Sequence, residues 1–192
     1  MVNVMVALAP GSEEIETVSL VDTLRRGEFI VDLVSVGDEL EITCSRGVRL
    51  IADKLLTDVN IDDYQLLVIP GGAGGSEFMR NTPEFIEFIK DFYQPPKYIA
   101  AICAAPALVL HANRICPQAT MTSHPSFFSD LDEKYRSEQR VVVDHKHRVI
   151  TSRGPGTAIE FALELLAQLG SEELARQVAE PMLCAGIDQR FR

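Results

Sequence analysis

The sequence of 192 residues is poor in basic residues. It has 18 lysines and arginines against 28 aspartates and glutamates, which gives a formal net charge of -10. Because a phosphate backbone selects basic surfaces, this balance argues against nucleic acid as an electrostatically driven partner. The charge is typical of an acidic, soluble protein.

The cysteines lack the spacing of a structural site. No two of them form a CxxC pair, so the sequence predicts neither a zinc centre nor a disulfide framework. Reduced thiols suit the cytoplasm, where we expect the protein to reside. The four cysteines are Cys44, Cys103, Cys116 and Cys184.

Long apolar runs are also missing. None approaches the roughly 18 residues that are needed to span a bilayer, and no charged-then-apolar leader precedes the first predicted strand. We therefore expect no association with a membrane. The hydrophobic content of 46% suits a single domain over residues 1–192 with a sizeable core.

Predicted strands and helices alternate along the chain. Such alternation indicates a doubly wound α/β sandwich with a mostly parallel sheet, of the flavodoxin-like kind. Segment 41–53 is predicted to be a small antiparallel hairpin excursion, and VVVD and RVITS are predicted to be antiparallel strands. The other predicted strands cover residues 3–9, 30–36, 66–70 and 98–102, and the predicted helices cover 14–27, 82–92, 104–111, 157–170 and a last segment from Ser171.

Cys103 is predicted to lie on a sharp turn between a buried strand and a helix. A nucleophile in that position is held with its side chain above the sheet. The positive end of the following helix is expected to favour the thiolate, which is the nucleophilic form. The alternative is an inert, buried cysteine in an apolar strand.

Four more loops are predicted at the carboxyl ends of strands, where ligands bind in this kind of sheet. In PGSEEIE, Glu13 and Glu14 suit the start of a helix, whereas Glu16 is placed where a desolvated carboxyl could exchange a proton with a thiolate. In PGGAGG, the N–H of Gly72 could form an oxyanion hole with that of Ala104. No GKS or GKT follows, so a phosphate-binding loop is not predicted, and a plain tight turn is the alternative.

Histidines offer a weaker signal. His124, in MTSHP, could orient a substrate or relay a proton, or it could be a hydrogen-bonded loop residue. DHKH implies no third ligand, so no metal site is predicted there. The loop TSRGPGT, which precedes a helix, could line the pocket.

Together these segments resemble a known family. GSEEIET, ITCSRGV, IPGG, AAICAAP, MTSHP and TSRGPGT occur in the order and approximate spacing of the ThiJ/PfpI superfamily. The resemblance covers nearly the whole chain and is nearest to the branch of the parkinsonism-associated protein deglycase and bacterial YajL.

The resemblance implies roles for individual residues. Cys103 matches the nucleophilic, oxidation-sensitive cysteine, Glu16 the protonated carboxyl beside it, and His124 the nearby histidine. Gly72 and Ala104 match the backbone oxyanion donors.

The resemblance also implies a homodimer. Arg46 and Arg26 look like the arginines that approach the site near the dimer interface, and Cys44 resembles an interface cysteine. No metal or organic cofactor is implied.

Departures from the wider superfamily disfavour two of its reaction classes, peptide hydrolysis and ammonia release from glutamine. Proteases of the PfpI type have histidine directly after the nucleophile, where this chain has Ala104. Glutamine amidotransferases carry a histidine near the C-terminus, whereas no histidine follows His147 here. A thiol beside a carboxylic acid suits an already electrophilic carbonyl better than an amide.

Two functions follow as expectations. The first is a glyoxalase or deglycase that acts on methylglyoxal, glyoxal or early glycation adducts of proteins. The second is a redox-sensing stress chaperone in which Cys103 is oxidised and Glu16 hydrogen-bonds the product. A role in thiamine-precursor metabolism is disfavoured, because no residues suggest a phosphate-ester site.

Overall fold

Nine strands and five α-helices make up the computed structural model, which describes residues 2–184. The strands are β1 Asn3–Leu8, β2 Ile30–Ser35, β3 Glu41–Thr43, β4 Arg49–Ile51, β5 Lys54–Leu55, β6 Leu66–Ile69, β7 Tyr98–Ile102, β8 Val141–Asp144 and β9 Val149–Ser152. The helices are α1 Glu14–Arg26, α2 Ala73–Arg80, α3 Pro83–Phe92, α4 Ala158–Leu169 and α5 Glu172–Ala179.

Seven of the strands form one sheet in the order β5-β2-β1-β6-β7-β9-β8. All neighbours pair in parallel except β8, which is antiparallel to β9 at one edge. Strands β3 and β4 form a separate antiparallel hairpin. The predicted mostly parallel, doubly wound sheet with a small hairpin excursion is confirmed.

Helices cover both faces of the sheet because successive side chains of a strand point to opposite sides. Along β1, Val4 and Val6 belong to one buried cluster, together with side chains of α1, α4 and α5. Met5 and Ala7 belong to a second cluster, together with side chains of α3. Strand β1 is thus buried on both faces, as its nearly continuous apolar sequence predicts.

Two local predictions are wrong in detail, and one strand was not predicted. The glycine-rich stretch after β6 was expected to be a loop, yet α2 begins at Ala73, since close packing of Gly75 against Ser12 offsets the low helix propensity of glycine. Strand β5 is an unpredicted two-residue addition to β2. Thr157 does not form the predicted capping box, because its Oγ1 donates to the Gly154 carbonyl at 2.9 Å instead.

The helix after Cys103 is a π-helix over Pro106–His111 rather than a regular α-helix. Its wide turns are visible in the hydrogen bond from the Ala112 N–H to the Ala107 carbonyl, five residues back. Such turns are frequent next to functional sites.

The expected single domain runs to residue 192, and its last eight residues, 185–192, lie outside the described residues. Among residues 2–184, no helix combines the length and the apolar character needed to cross a bilayer.

Candidate active site

Cys103 is the first residue after β7 and has a left-handed backbone, with φ of 65°. Its N–H donates to the Ser152 carbonyl at 3.0 Å, and its carbonyl accepts from the His124 N–H at 2.8 Å and the Ser123 hydroxyl at 2.7 Å. A non-glycine residue in this conformation is uncommon and persists only where its surroundings hold it. The predicted sharp turn at Cys103 is therefore present and is held by three hydrogen bonds from two other segments, β9 and the loop of Ser123 and His124.

Glu16 lies in the first turn of α1 and is fully buried. Its Oε2 accepts a 2.7 Å hydrogen bond from the Gly71 N–H, which follows β6. Its Oε1 accepts no hydrogen bond of ordinary geometry within residues 2–184, and the Cys103 thiol lies next to the carboxyl group. Burial raises the pKa of Glu16 from its ordinary 4.5 to about 7, although the Gly71 hydrogen bond acts in the opposite direction.

Burial also dominates the acidity of Cys103, of which only 8% is exposed. It raises the pKa of the thiol to about 12, with a further contribution from the negative charge of Glu16. The backbone N–H groups of Gly72 and Ala104 lower the pKa of the thiol, but by less than burial and the Glu16 charge raise it. The Ala104 N–H, at the start of the segment after Cys103, thus favours the thiolate in the expected direction, but desolvation and the neighbouring carboxylate raise the thiol pKa by more than the two N–H dipoles lower it.

Two adjacent glycines let the strand ends approach this closely. A Cβ atom on Gly71 would lie 2.4 Å from the Cβ atom of Cys103. Gly72 has φ of 85°, and a Cβ atom there would lie 2.3 Å from the Gly11 carbonyl oxygen. The predicted oxyanion donors, Gly72 and Ala104, are both placed beside the sulfur.

A cavity of about 610 Å³ opens above these groups. Its lining includes Cys103, Gly72, Cys44, Arg46 and His124. The volume is within the range of small-molecule sites. The site therefore has room for a small carbonyl compound and for part of a larger adduct.

His124 and Arg46 both reach this cavity. His124 Nδ1 accepts from the Ser126 N–H at 3.2 Å, which places its lone pair toward the backbone and leaves Nε2 for a substrate. The Arg46 guanidinium donates only to the Ser45 carbonyl at 3.3 Å, and it has no ion pair within the described part of the chain. Arg46 thus adds a positive charge to the cavity lining, which also includes the carboxylate of Glu13.

Arg26 is not part of the site within one chain. It lies ten residues after Glu16 on α1, which is about 15 Å along the helix axis. Its Nε donates to Asp22 at 2.7 Å in an exposed ion pair. The sequence could not show this, because the resemblance implied a position at an interface and not a contact within the chain.

Glu13 and Glu14 do more than favour a helix start. Glu13 caps α1 by accepting the Glu16 N–H at 2.7 Å. Glu14 is buried and accepts from the Ser45 hydroxyl at 2.6 Å and the Arg46 N–H at 2.7 Å. The Glu14 carboxylate therefore fixes the turn of the β3–β4 hairpin against the start of α1, whereas Glu13 acts within the helix.

Two contributors were missed from the sequence. Gly71 was part of the quoted IPGG motif, but only its neighbour was assigned a role, and the missing signal is the through-space contact with Glu16. Ser123, whose hydroxyl donates to the Cys103 carbonyl, has no local sequence signal beyond its place next to His124.

Cys44 also lines the cavity, and burial together with nearby carboxylates raises the pKa of its thiol to about 11.

Metal-binding groups do not gather in this region. Across residues 2–184, no set of three or more histidine, cysteine, aspartate or glutamate side chains is arranged to hold a metal ion.

Comparison with known proteins places the chain among relatives of similar architecture. A family model described as the DJ-1/PfpI family matches residues 2–168. The oxidized form of DJ-1 from Toxoplasma gondii is 39% identical, has a TM-score of 0.91, and is matched over 95% of this chain and 98% of that chain.

Two curated relatives differ in length. Protein DJ-1 homolog B of Arabidopsis thaliana is 37% identical over 180 residues, which cover 94% of this chain but only 41% of the relative. A Schizosaccharomyces pombe protein named glutathione-independent glyoxalase DJ-1 is 35% identical, with 90% of this chain and 94% of the relative covered. The chain thus spans less than half the length of the Arabidopsis protein and nearly all of the yeast protein.

Proposed function

Because the family model matches most of its length, this chain belongs to the DJ-1/PfpI family, and we propose that it is a cysteine-dependent glyoxalase or deglycase. Its substrates would be methylglyoxal, glyoxal or early glycation adducts. The observation that carries the proposal is the buried Glu16 carboxyl beside the Cys103 thiol, with a pKa of about 7. The name of the yeast relative supports the same class of reaction.

The first step is addition of the thiol to an aldehyde. Cys103 Sγ forms a bond to the aldehyde carbon of methylglyoxal, and the thiol proton moves to the Glu16 carboxylate. The carbonyl oxygen becomes an oxyanion, which accepts from the N–H groups of Gly72 and Ala104. Glu16 then returns the proton to this oxygen, so that a hemithioacetal forms.

The second step is an isomerisation that Glu16 can assist because its pKa is near neutral. The carboxylate removes the proton from the hemithioacetal carbon, which produces an enediolate, and delivers it to the neighbouring carbon. The proton of the hemithioacetal hydroxyl moves to the oxygen of that neighbouring carbon. The product is a lactoyl thioester on Cys103. Water hydrolyses the thioester, so methylglyoxal and water become lactate without net oxidation and without a cofactor.

Arg46 and His124 would position the substrate. Arg46 provides a positive charge for an anionic adduct or product, and His124 Nε2 can hydrogen-bond the second carbonyl. Neither residue is needed to make the nucleophile, since Glu16 is the group beside the thiol. We expect their loss to raise KM more than it lowers kcat.

Lactate formation tests the proposal directly. Purified wild type, Cys103→Ala and Cys184→Ala are incubated with methylglyoxal in buffer free of glutathione and amines, and lactate is quantified. Turnover by wild type and Cys184→Ala, but not by Cys103→Ala, is expected, because Cys184 lies outside the cavity. A folded, reduced wild type that makes no more lactate than Cys103→Ala would overturn the glyoxalase proposal.

Deglycase action requires a separate measurement. An early methylglyoxal adduct of a peptide cysteine is isolated, and recovery of the free thiol is followed with the same three proteins. If free methylglyoxal is scavenged first and recovery persists only with an intact Cys103, the adduct itself is a substrate.

A homodimer is part of the proposal. The α1–hairpin surface, formed by one face of α1 and the β3–β4 hairpin, exposes the large apolar side chains Ile15, Val18, Val48 and Ile51. Exposed apolar side chains grouped in this way are typical of an interaction surface. Arg26 belongs to the same face of α1 by helical spacing, so a second copy would place it near a shared interface.

A cytoplasmic location is also proposed. Cys44, Cys103, Cys116 and Cys184 are all free thiols, and a reducing compartment would keep them in that state.

A second candidate function rests on the same pair of residues. Peroxide would oxidise the Cys103 thiolate to a sulfenate with release of water or hydroxide, and a second peroxide would give the sulfinate. A protonated Glu16 would then donate to a sulfinate oxygen. In this second function, the Cys103 sulfinate would activate chaperoning, and no turnover of a carbonyl substrate would be required.

Peroxide titration separates the two functions. Mass spectrometry of wild type and Glu16→Gln follows oxidation of Cys103, and suppression of client aggregation is measured at each stage. Protection that appears only with the sulfinate supports the chaperone, whereas protection that is independent of Cys103 contradicts it.

A further inference from the structure

A second cavity of about 390 Å³ lies at the opposite end of the sheet from Cys103. It is formed by the end of α3, the loop after the π-helix and the turn between β8 and β9, so it borders the amino-terminal end of β7. Cys103 follows the other end of that strand, which is about 17 Å long. The two cavities have no lining residue in common.

The lining of this cavity has an unusual charge for this chain. Acidic residues outnumber basic ones by 28 to 18 overall, yet no aspartate or glutamate lines it. Lys90 and Arg114 do line it, and within the described residues neither side chain has an ion pair or hydrogen bond. A third cation, Arg148, lies 5.9 Å from the ring centre of Tyr93 at the same place.

Amide groups add further donors. Gln94 and Gln118 line the cavity from its two sides, and their side-chain amides have no protein partner in the part of the chain that the structure describes. The cavity thus combines two unpaired cations with two unpaired amides. Asp144 lies behind this lining, where its carboxylate already accepts from the Thr120 and His147 N–H groups and pairs with the His147 ring. The set of N–H donors on the lining therefore matches an oxyanion better than a cation or an apolar group.

The floor of the cavity is already hydrogen-bonded. Tyr93 donates its hydroxyl proton to the His147 carbonyl at 2.5 Å, so this hydroxyl is not a free donor for a ligand. Its ring and the buried Cys116 close the cavity below the cations. Tyr93 and Cys116 therefore shape the floor of the cavity, and the cations at its rim would contribute the binding energy for a ligand.

The loop that carries Arg114 is held in a rare backbone conformation. Arg114 and Cys116 both have left-handed backbones, with φ of 56° and 54°. Residues other than glycine adopt this conformation infrequently, and such positions are frequent at ligand sites.

We propose that this cavity binds a small molecule through a dianionic oxyanion group, of the kind that a phosphate monoester carries. Lys90 and Arg114 supply two charges to match the dianion, and Gln94 and Gln118 donate to its remaining oxygens. This site is separate from the Cys103 chemistry and does not depend on it.

Titration with inorganic phosphate tests the proposal. Backbone amide signals are followed by NMR while sodium chloride keeps the ionic strength constant. Saturable shifts are expected at Lys90, Gln94 and residues 114–118, and not around Cys103. Acetate, a monoanion, is expected to bind more weakly at the same concentration.

Variants identify the donors. Lys90→Gln and Arg114→Gln are each expected to weaken phosphate binding by roughly tenfold or more, because each removes a charge-assisted contact. Arg80 is an exposed cation on α2 and forms no ion pair with any other described residue. Arg80→Gln and Cys103→Ala are both expected to retain phosphate binding. Circular dichroism checks that every variant is folded.

Three results would overturn the proposal. These are shifts that never saturate, binding that is equal in Lys90→Gln, Arg114→Gln and Arg80→Gln, and acetate binding as strong as phosphate binding. The first two would show a general ionic effect, and the third would remove the preference for a dianion.

Discussion

A Cβ atom on Gly71 would overlap the Cβ atom of Cys103, at a separation of 2.4 Å. The ends of β6 and β7 therefore approach each other only because one of these residues has no side chain. The same Gly71 donates its N–H to the Glu16 carboxyl, so a single residue joins the acid to the nucleophile.

Replacement of Gly71 by alanine should disrupt this contact. We expect Gly71→Ala to lower stability by about 1–3 kcal/mol through overpacking and to reduce lactate formation strongly. Chemical denaturation and the lactate assay measure the two effects. Gly156→Ala is the matched control, since a Cβ atom there meets nothing within 4 Å, and an equal loss in both variants would contradict the explanation.

The raised pKa of Glu16 predicts how stability changes with pH. The folded protein holds this proton up to about pH 7, whereas the unfolded chain releases it near the ordinary 4.5. Between these pH values the folded state binds more protons than the unfolded chain. The contribution of Glu16 to the free energy of unfolding is therefore fully present below about pH 4.5 and is lost as the pH rises through 7. The loss from this group is roughly 3 kcal/mol, since one pKa unit is about 1.4 kcal/mol.

Glu16→Gln isolates this contribution, because glutamine does not titrate. The free energy of unfolding of wild type relative to Glu16→Gln is expected to fall between mildly acidic and neutral pH. Denaturant titrations at several pH values measure it. A difference that stays constant or rises with pH would mean that Glu16 is ionised in the folded protein at acidic pH.

The negative charge of Glu16 should also slow alkylation of Cys103. Glu16→Gln removes the charge that helps to raise the thiol pKa to about 12, so more thiolate is expected at mildly alkaline pH. A fall of one pKa unit would raise the alkylation rate about tenfold. Mass spectrometry follows iodoacetamide labelling of Cys103, with Cys184 as the internal reference.

Unchanged or slower labelling in Glu16→Gln would contradict control of the thiol by this charge. A parallel change at Cys184 would instead indicate that the whole protein had loosened.

A charge introduced on the α1–hairpin surface should disrupt the proposed dimer, because it would be buried between the two copies. Ile51 is 70% exposed in the single chain, so Ile51→Asp is expected to leave the fold intact and to convert a dimer to a monomer. Light scattering coupled to gel filtration measures the mass. Phe78→Asp is the control on another exposed apolar residue, and a monomeric wild type would refute the dimer.

Sequence periodicity predicted most of the fold, because helices and strands depend on nearby residues. The apolar run of β1, the spacing of α1 and Pro83 at the start of α3 are such local signals, and each element occurs where it was expected. The glycines of α2 misled the prediction, since contacts with Ser12 decide that segment.

The candidate site likewise combines features that local sequence predicts with features that depend on tertiary contacts. The sequence shows which chemical groups are available, and it predicts the turn at Cys103 and the role of the Glu16 carboxyl. The folded arrangement alone shows that the thiol pKa is raised, that Gly71 joins the two residues, and that Arg26 lies away from them. Desolvation and charge act through space between segments that are distant in the chain, whereas sequence patterns reflect neighbours along it.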